Sequence, residues 1–388
     1  MTAAALPVAR PIPVAIPIVA ARRPCRPRHA VGRGLEWLFG VGVLVGGLAT
    51  LSAFPLLQFL SLGYLLEAAG RVARTGRVRD GFIGVRKAAR IGGIAVGVWL
   101  FLLPARIVAD FAHSAEVIDP SSSVVAGWRT ALYVLIGLTA VHIIGACGRG
   151  GRLRHFLNPL SAVWLGGRLL RGGFYAEARD AVWATVVGLR LPHYFWLGVR
   201  GFVVGLAWLA VPATLLAAAR NPGPGAGLAG VVGAVLLAWV VLYLPFLQTR
   251  LAMTDRFRAG FQLGAVRQDF NRAPWAFAVT VSVTVLFAVP LYLLKIETVP
   301  RDAAWLPGVV FVGFIFPARV LAGWAVGRAN RRERPRHWVA RWLGRAPLVP
   351  VALAYVLVVF LARYTDWTGV AGVYAQHAFL LPVPFVGL

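Results

Sequence analysis

GLAGVVGAVLLAWVVLYLPFL, residues 227–247, is 21 positions long and holds no charged side chain. As a helix rising 1.5 Å per residue it measures about 32 Å, enough to cross a hydrocarbon slab about 30 Å thick. Working outward, residues 91–109, 130–147, 201–218, 275–294, 305–326 and 347–363 read the same way, which makes seven clear spans. Aromatic residues mark several ends, among them Trp128, Tyr194, Trp275, Trp305 and Trp324, where amphipathic rings favour the membrane interface. Composition agrees, with 59% of residues hydrophobic and 14% charged, against about 45–50% and about 25% in soluble domains. The expected fold class is therefore all-α, a polytopic transmembrane helical bundle.

The net charge of +26 raises the question of nucleic acid. Phosphate-gripping cations sit on polar, soluble surfaces, whereas these fall between apolar runs. Residues 1–34, 55–90, 148–200, 248–274 and 327–346 hold 33 of the 40 cations, and the intervening loops 110–129, 219–226, 295–304 and 364–388 hold four. Arginine accumulates on the cytoplasmic side of membrane proteins. That rule places the N-terminus in the cytoplasm and the C-terminus in the periplasm, in a bacterial inner membrane. The expected partners are the bilayer, its anionic phospholipid headgroups and a membrane-protein partner, with no nucleic acid. Residues 156–171, 173–190 and 336–345 mix arginines with bulky apolar residues and read as amphipathic helices in the headgroup plane.

Residues 35–69 are too long for one crossing and barely long enough for two. Both flanks are basic, so a helical hairpin turning near Pro55 is expected, with a short or re-entrant second arm packed against protein. Before it, residues 1–34 carry six prolines and six arginines and read as a disordered cytoplasmic arm, since proline breaks the helical core of a secretory signal. A faint internal repeat pairs Pro55-Leu56-Leu57-Gln58 with Pro245-Phe246-Leu247-Gln248, followed by Gly81-Phe82 and Gly260-Phe261. The hairpin argues against it, because it puts the two proline sites on opposite sides of the membrane.

The stretch Phe54-Pro55-Leu56-Leu57-Gln58-Phe59-Leu60-Ser61-Leu62-Gly63-Tyr64-Leu65-Leu66 resembles a family of uncharacterised prokaryotic multi-pass membrane proteins. In that family an apolar helix runs into a proline, a polar amide and Leu-Gly-Tyr, and a basic helix follows. Arg71, Arg74, Arg77 and Arg79 are similar to that basic helix, and Gly81-Phe82-Ile83-Gly84 to the segment closing it. The family's acidic and tryptophan residues there are reduced to Asp80. The resemblance covers roughly residues 35–110, implies a multi-pass protein of unknown function and supplies no active site.

Ionisable groups at membrane depth are costly and stand out as candidates. Here they are Glu67, His142 and Arg319, with Glu67 a potential ion-pair partner of Arg319. Arg106 reads as an interfacial anchor, and His142 as a histidine bonded across helices. The pairs Gly42/Gly46, Gly93/Gly97 and Gly201/Gly205 are spaced for close helix packing. Asp110, His113, Glu116 and Asp119 form a solvated acidic loop without ligand geometry, and Cys25 and Cys147 read as free thiols. No phosphate-binding loop, HExxH or GxSxG motif is present, so no catalytic residue, cofactor or metal is expected. The sequence favours a non-enzymatic scaffold or accessory membrane component. The alternative is a transporter of a lipid or small molecule, using a cavity between helices kinked at Pro104, Pro212, Pro290 and Pro317, lined by Glu67, His142 and Arg319.

Overall fold

The computed structural model describes residues 27–219, 223–293 and 305–362, all helix and connecting turns without strands. In chain order the helices are α1 (Pro27–Ser52), α2 (Gln58–Thr75), α3 (Val85–Ile118), α4 (Ser123–Gly148), α5 (Leu153–Phe156), α6 (Ser161–Leu170) and α7 (Phe174–Gly188). They continue with α8 (Leu191–Ala218), α9 (Ala226–Thr254), α10 (Leu263–Arg272), α11 (Pro274–Leu293), α12 (Trp305–Asn330), α13 (Trp338–Arg345) and α14 (Leu348–Ala362). Seven of the described helices or helix pairs are long and apolar enough to cross a membrane, and α10 with α11, bent by 112°, makes an eighth. Each expected span coincides with a helix, but several helices overrun the apolar runs. For instance, α3 starts six residues before position 91 because Arg86, Lys87 and Arg90 are good helix formers that need no hydrocarbon.

Helix α1 begins at Pro27, where the missing N–H of proline costs nothing, so the last part of the expected disordered arm is helical. The preceding residues lie outside the described ones. A short turn over 53–57 leads into α2, whose 18 residues span about 27 Å. Leu62, Leu65, Leu66, Ala68, Ala69 and Val72 on α2 are each at most 1% exposed. The second arm is thus the centre of the bundle, enclosed by α8, α9 and α12.

Lipid offers no hydrophobic drive for helix association, so close backbone approach carries the packing. A Cβ on Gly63 would lie 1.7 Å from the Tyr194 carbonyl oxygen of α8, and one on Gly198 would lie 1.9 Å from that of Phe59. Gly323 and Gly327 of α12 meet the α2 backbone at Ala69 and Ala73 in the same way. The anticipated small-residue pairs fare unevenly. Gly42 and Gly46 face open space, whereas Gly93 approaches the backbone at Gly151 and Gly97 the Phe156 ring. The crossing surface is set by helix rotation, which spacing alone does not give.

The repeat exists in the backbone, in a different register from that of the two proline sites. Gly76 and Asp255 close α2 and α9 in left-handed conformation, with φ 66 and 56°. Arg77 and Arg256 then extend, with φ/ψ −110/117° and −115/124°. A 3-10 turn follows, four residues long in the first corner and five in the second, and the residues just after it, Phe82 and Gln262, take φ/ψ −84/70° and −85/72°. Aligned on these corners, residues 64–82 and 243–261 carry the same residue at nine of 19 positions, including Tyr64/Tyr243, Arg71/Arg250, Thr75/Thr254, Arg77/Arg256 and Gly81/Gly260. Pro55 precedes α2 whereas Pro245 lies inside α9, so those sites were never equivalent. The corrected register ends both helices at one end of the bundle.

Side chains tie that end together. Arg74 donates to the Ala252 carbonyl at 2.9 Å, Arg200 to the Asp255 carboxylate at 2.6 Å and Arg331 to the Thr75 carbonyl at 3.4 Å. Arg332 reaches the Arg272 carbonyl, and Lys87 the Gly188 carbonyl. Most of the arginine-rich connections therefore meet at one pole. The helices expected to be amphipathic fall where the sequence put them. No residue of α7 is buried, and α13 exposes Trp338 and Trp342 while seating Gly344 on Pro274.

Candidate functional site

The three candidate residues occupy three separate environments. Arg319 on α12 is 4% exposed, and its guanidinium donates to Oε1 of Gln248 on α9. Gln248 is fully buried and passes the link on, donating through Nε2 to the Gly201 carbonyl of α8 at 3.1 Å. A charged donor, an amide and a backbone acceptor thus tie three helices across the bundle interior. In low dielectric such bonds are strong, and an unpaired member would be costly.

Glu67 does not reach Arg319. Its carboxylate takes Arg74 at 2.6 Å, two helical turns further along the same face of α2, and His193 of α8 at 3.5 Å. The expected Glu67–Arg319 pair is therefore not formed, because each finds a nearer partner. The His142 ring nitrogen Nε2 lies 2.7 Å from the Phe156 carbonyl oxygen, and its ring stacks on Phe101 at 4.3 Å. Phe101, Pro104, Thr139 and Phe156 line a cavity of about 420 Å³ around it. In neighbouring α5, burial and then the cations Arg154, Arg149 and Arg152 push the His155 imidazole below its usual range. The expected acidic loop is not a loop: Asp110, His113 and Glu116 lie on the last turns of α3, where Glu116 pairs with Arg129 at 2.7 Å, and Asp119 just past its end accepts from Ser121.

Two groups that sequence reasoning did not single out complete the polar interior. Asp269 on α10 is 2% exposed and holds Arg250 of α9, with Arg272 at 3.9 Å. Its signal was available, since it is the only carboxylate between Arg256 and Ile296. Gln248 was read only as part of a repeat, because a neutral amide hardly dents a hydropathy profile.

A second cavity, of about 610 Å³, lies between α9, α11 and α14 and is closed at one end by α10 and α13. Leu242, Phe246, Phe277, Val281 and Leu353 form part of its wall, and Arg267, Asn271 and Arg345 its polar end. None of the three candidate residues lines it.

A sequence-family profile described as a protein of unknown function, DUF4013, matches residues 190–296. The matched part holds α8 to α11, with the second copy of the duplicated corner, Gln248 and Asp269. The stretch 54–66, which carried the resemblance to an uncharacterised family, lies outside the match and runs into the start of the first copy. No curated protein and no solved structure gives a match.

Proposed function

We propose that the chain is a non-enzymatic scaffold or accessory component of a bacterial inner membrane, with its N-terminus in the cytoplasm and its C-terminus in the periplasm. The observation that carries this reading is the Arg319–Gln248–Gly201 tie, which commits the one buried arginine among the described residues to holding α8, α9 and α12 together. A central cavity lined by Glu67, His142 and Arg319 would have favoured the transporter alternative, and the three are instead spread over three environments with local partners. The gathering of arginine-rich connections at one pole supports the orientation, and the exposed apolar faces of α7 and α13 support contact with the headgroup layer.

The test is in-membrane photo-cross-linking combined with lipid and solute flux in proteoliposomes. A defined cross-linked membrane protein without flux above empty vesicles is expected. Saturable flux abolished by Gln248→Leu would overturn the scaffold reading in favour of transport. Thiol labelling of Cys25 in a Cys147→Ser background checks orientation, with reaction expected only once the cytoplasmic face is opened.

A further inference from the structure

The cavity between α9, α11 and α14 has the size of a ligand site, which is about 300–1,000 Å³. Its wall is apolar over the stretch of α9 from Ala238 to Phe246, a rise of about 12 Å, close to one leaflet of a hydrocarbon core about 30 Å thick. Its polar end is cationic. Arg267 and Arg345 are both exposed and have no carboxylate partner among the described residues, because the nearby Asp269 is taken by Arg250 and Arg272. The Arg345 guanidinium lies 5.7 Å from the Phe270 ring centroid and 6.0 Å from that of Trp342. Ring contacts of this kind engage the face of the guanidinium and leave its N–H edge for an oxyanion. Asn271, in the same lining, keeps its side-chain oxygen buried with no hydrogen-bond partner among the described residues, an acceptor suited to a headgroup hydroxyl.

We infer that this cavity binds an anionic glycerophospholipid of the phosphatidylglycerol type, one acyl chain filling the shaft and the phosphate resting between Arg267 and Arg345. The site rests on the proposed orientation, which puts its polar end in the cytoplasmic headgroup layer, where basic pockets between helices recognise such lipids. It does not depend on whether the protein is a scaffold or a transporter.

The experiment is native mass spectrometry of the full chain in detergent, titrated separately with phosphatidylglycerol and phosphatidylcholine. Two basic side chains, each worth about fivefold at an anionic headgroup, give an expected preference of about 30-fold for phosphatidylglycerol. The double variant Arg267→Gln/Arg345→Gln is expected to remove that preference, while Ala352→Trp, placed in the apolar wall, is expected to abolish retention of both lipids. Should Ala352→Trp aggregate, Val349→Trp, on the same wall but 61% exposed, serves instead. Arg77→Gln/Arg79→Gln, at the exposed first corner, is expected to bind as the parent does. Equal binding of the two lipids by the parent, no retained lipid at all, or a preference unchanged in the charge and wall variants would each overturn the site. Because the assay needs neither partner nor flux, its failure would leave the scaffold reading standing, and evidence of flux would leave the site standing.

Discussion

The two copies of the arginine corner share a backbone and differ in what surrounds them. In the first, Gly63 lets α2 press against the α8 backbone, and the helix is buried along its length. At the equivalent place the second copy has Leu242, which lines the large cavity. Arg71 and Arg250 are likewise equivalent, yet only Arg250 meets a carboxylate, that of Asp269; the stretch 83–90 that follows the first corner holds no acid. One copy thus serves as the central post of the bundle, and the other borders the apolar cavity of about 610 Å³. The corner, where backbone geometry is demanding, is alike in both copies, whereas the helix faces leading to it differ.

The sharpest way to break this comparison is to exchange the divergent residue. Gly63→Leu would drive a side chain into the Tyr194 carbonyl, and a loss of about 3 kcal/mol or more is expected, since backbone rather than a flexible side chain must move. Fluorescence-detected size exclusion after heating would register it as aggregation. The reverse exchange, Leu242→Gly, should leave a monodisperse protein with a lower melting temperature. Equal tolerance of both would mean that the two faces are not differentiated.

Next in size is the carboxylate present in one copy alone. Asp269→Asn leaves Arg250, whose side chain is 16% exposed, facing a neutral amide. Removing one member of a buried pair costs about 3 kcal/mol, and the partial access of Arg250 and the remaining polarity of asparagine bring the expectation to the lower side of that figure. Arg71→Gln in the first copy should shift stability by only about 0.5 kcal/mol, as for a change away from any buried network. Similar melting temperatures for Asp269→Asn and Arg71→Gln would remove the asymmetry. Between these falls Gln248→Leu, which deprives Arg319 of this acceptor and the Gly201 carbonyl of its donor. About 2 kcal/mol is expected from a charged hydrogen bond lost in the interior, measured by the same thermal assay.

Much of the fold was legible because lipid demands long, predominantly apolar runs, and each of the seven expected ones coincides with a helix over its described residues. Helix α2 escaped that test: Glu67, Arg71 and Arg74 in 18 residues disqualify it as a lipid-facing span. It pays no solvation penalty because protein, not lipid, surrounds it. The true register of the repeat was hidden for a related reason, since proline and glutamine drew attention away from the Thr-x-Arg-x-Arg-x-Gly-Phe run that both corners share. Arg319 was conspicuous as a charge at depth, but its partner depended on how α9 is rotated, which no linear pattern encodes. The cavity was equally invisible, being assembled from five helices spread over more than 100 residues.

A smaller effect than for Asp269 is expected at Glu67, the most conspicuous acid in the membrane-embedded sequence. Its side chain is 10% exposed, which suggests a costly loss on neutralisation, but its main partner Arg74 is 40% exposed and also donates to the Ala252 and Met253 carbonyls. In Glu67→Gln, Arg74 keeps those acceptors and reaches water, while glutamine still offers an oxygen at the same place. Screening and these retained bonds hold the expected loss to about 1 kcal/mol or less, smaller than for Asp269→Asn although the two carboxylates are similarly buried. The contrast therefore tests whether a carboxylate matters through its own burial or through that of the cation it serves. If Glu67→Gln proved as damaging as Asp269→Asn in the thermal assay, burial of the acid alone would govern, and α2 would have to be read as a charged site and not as the bundle's post.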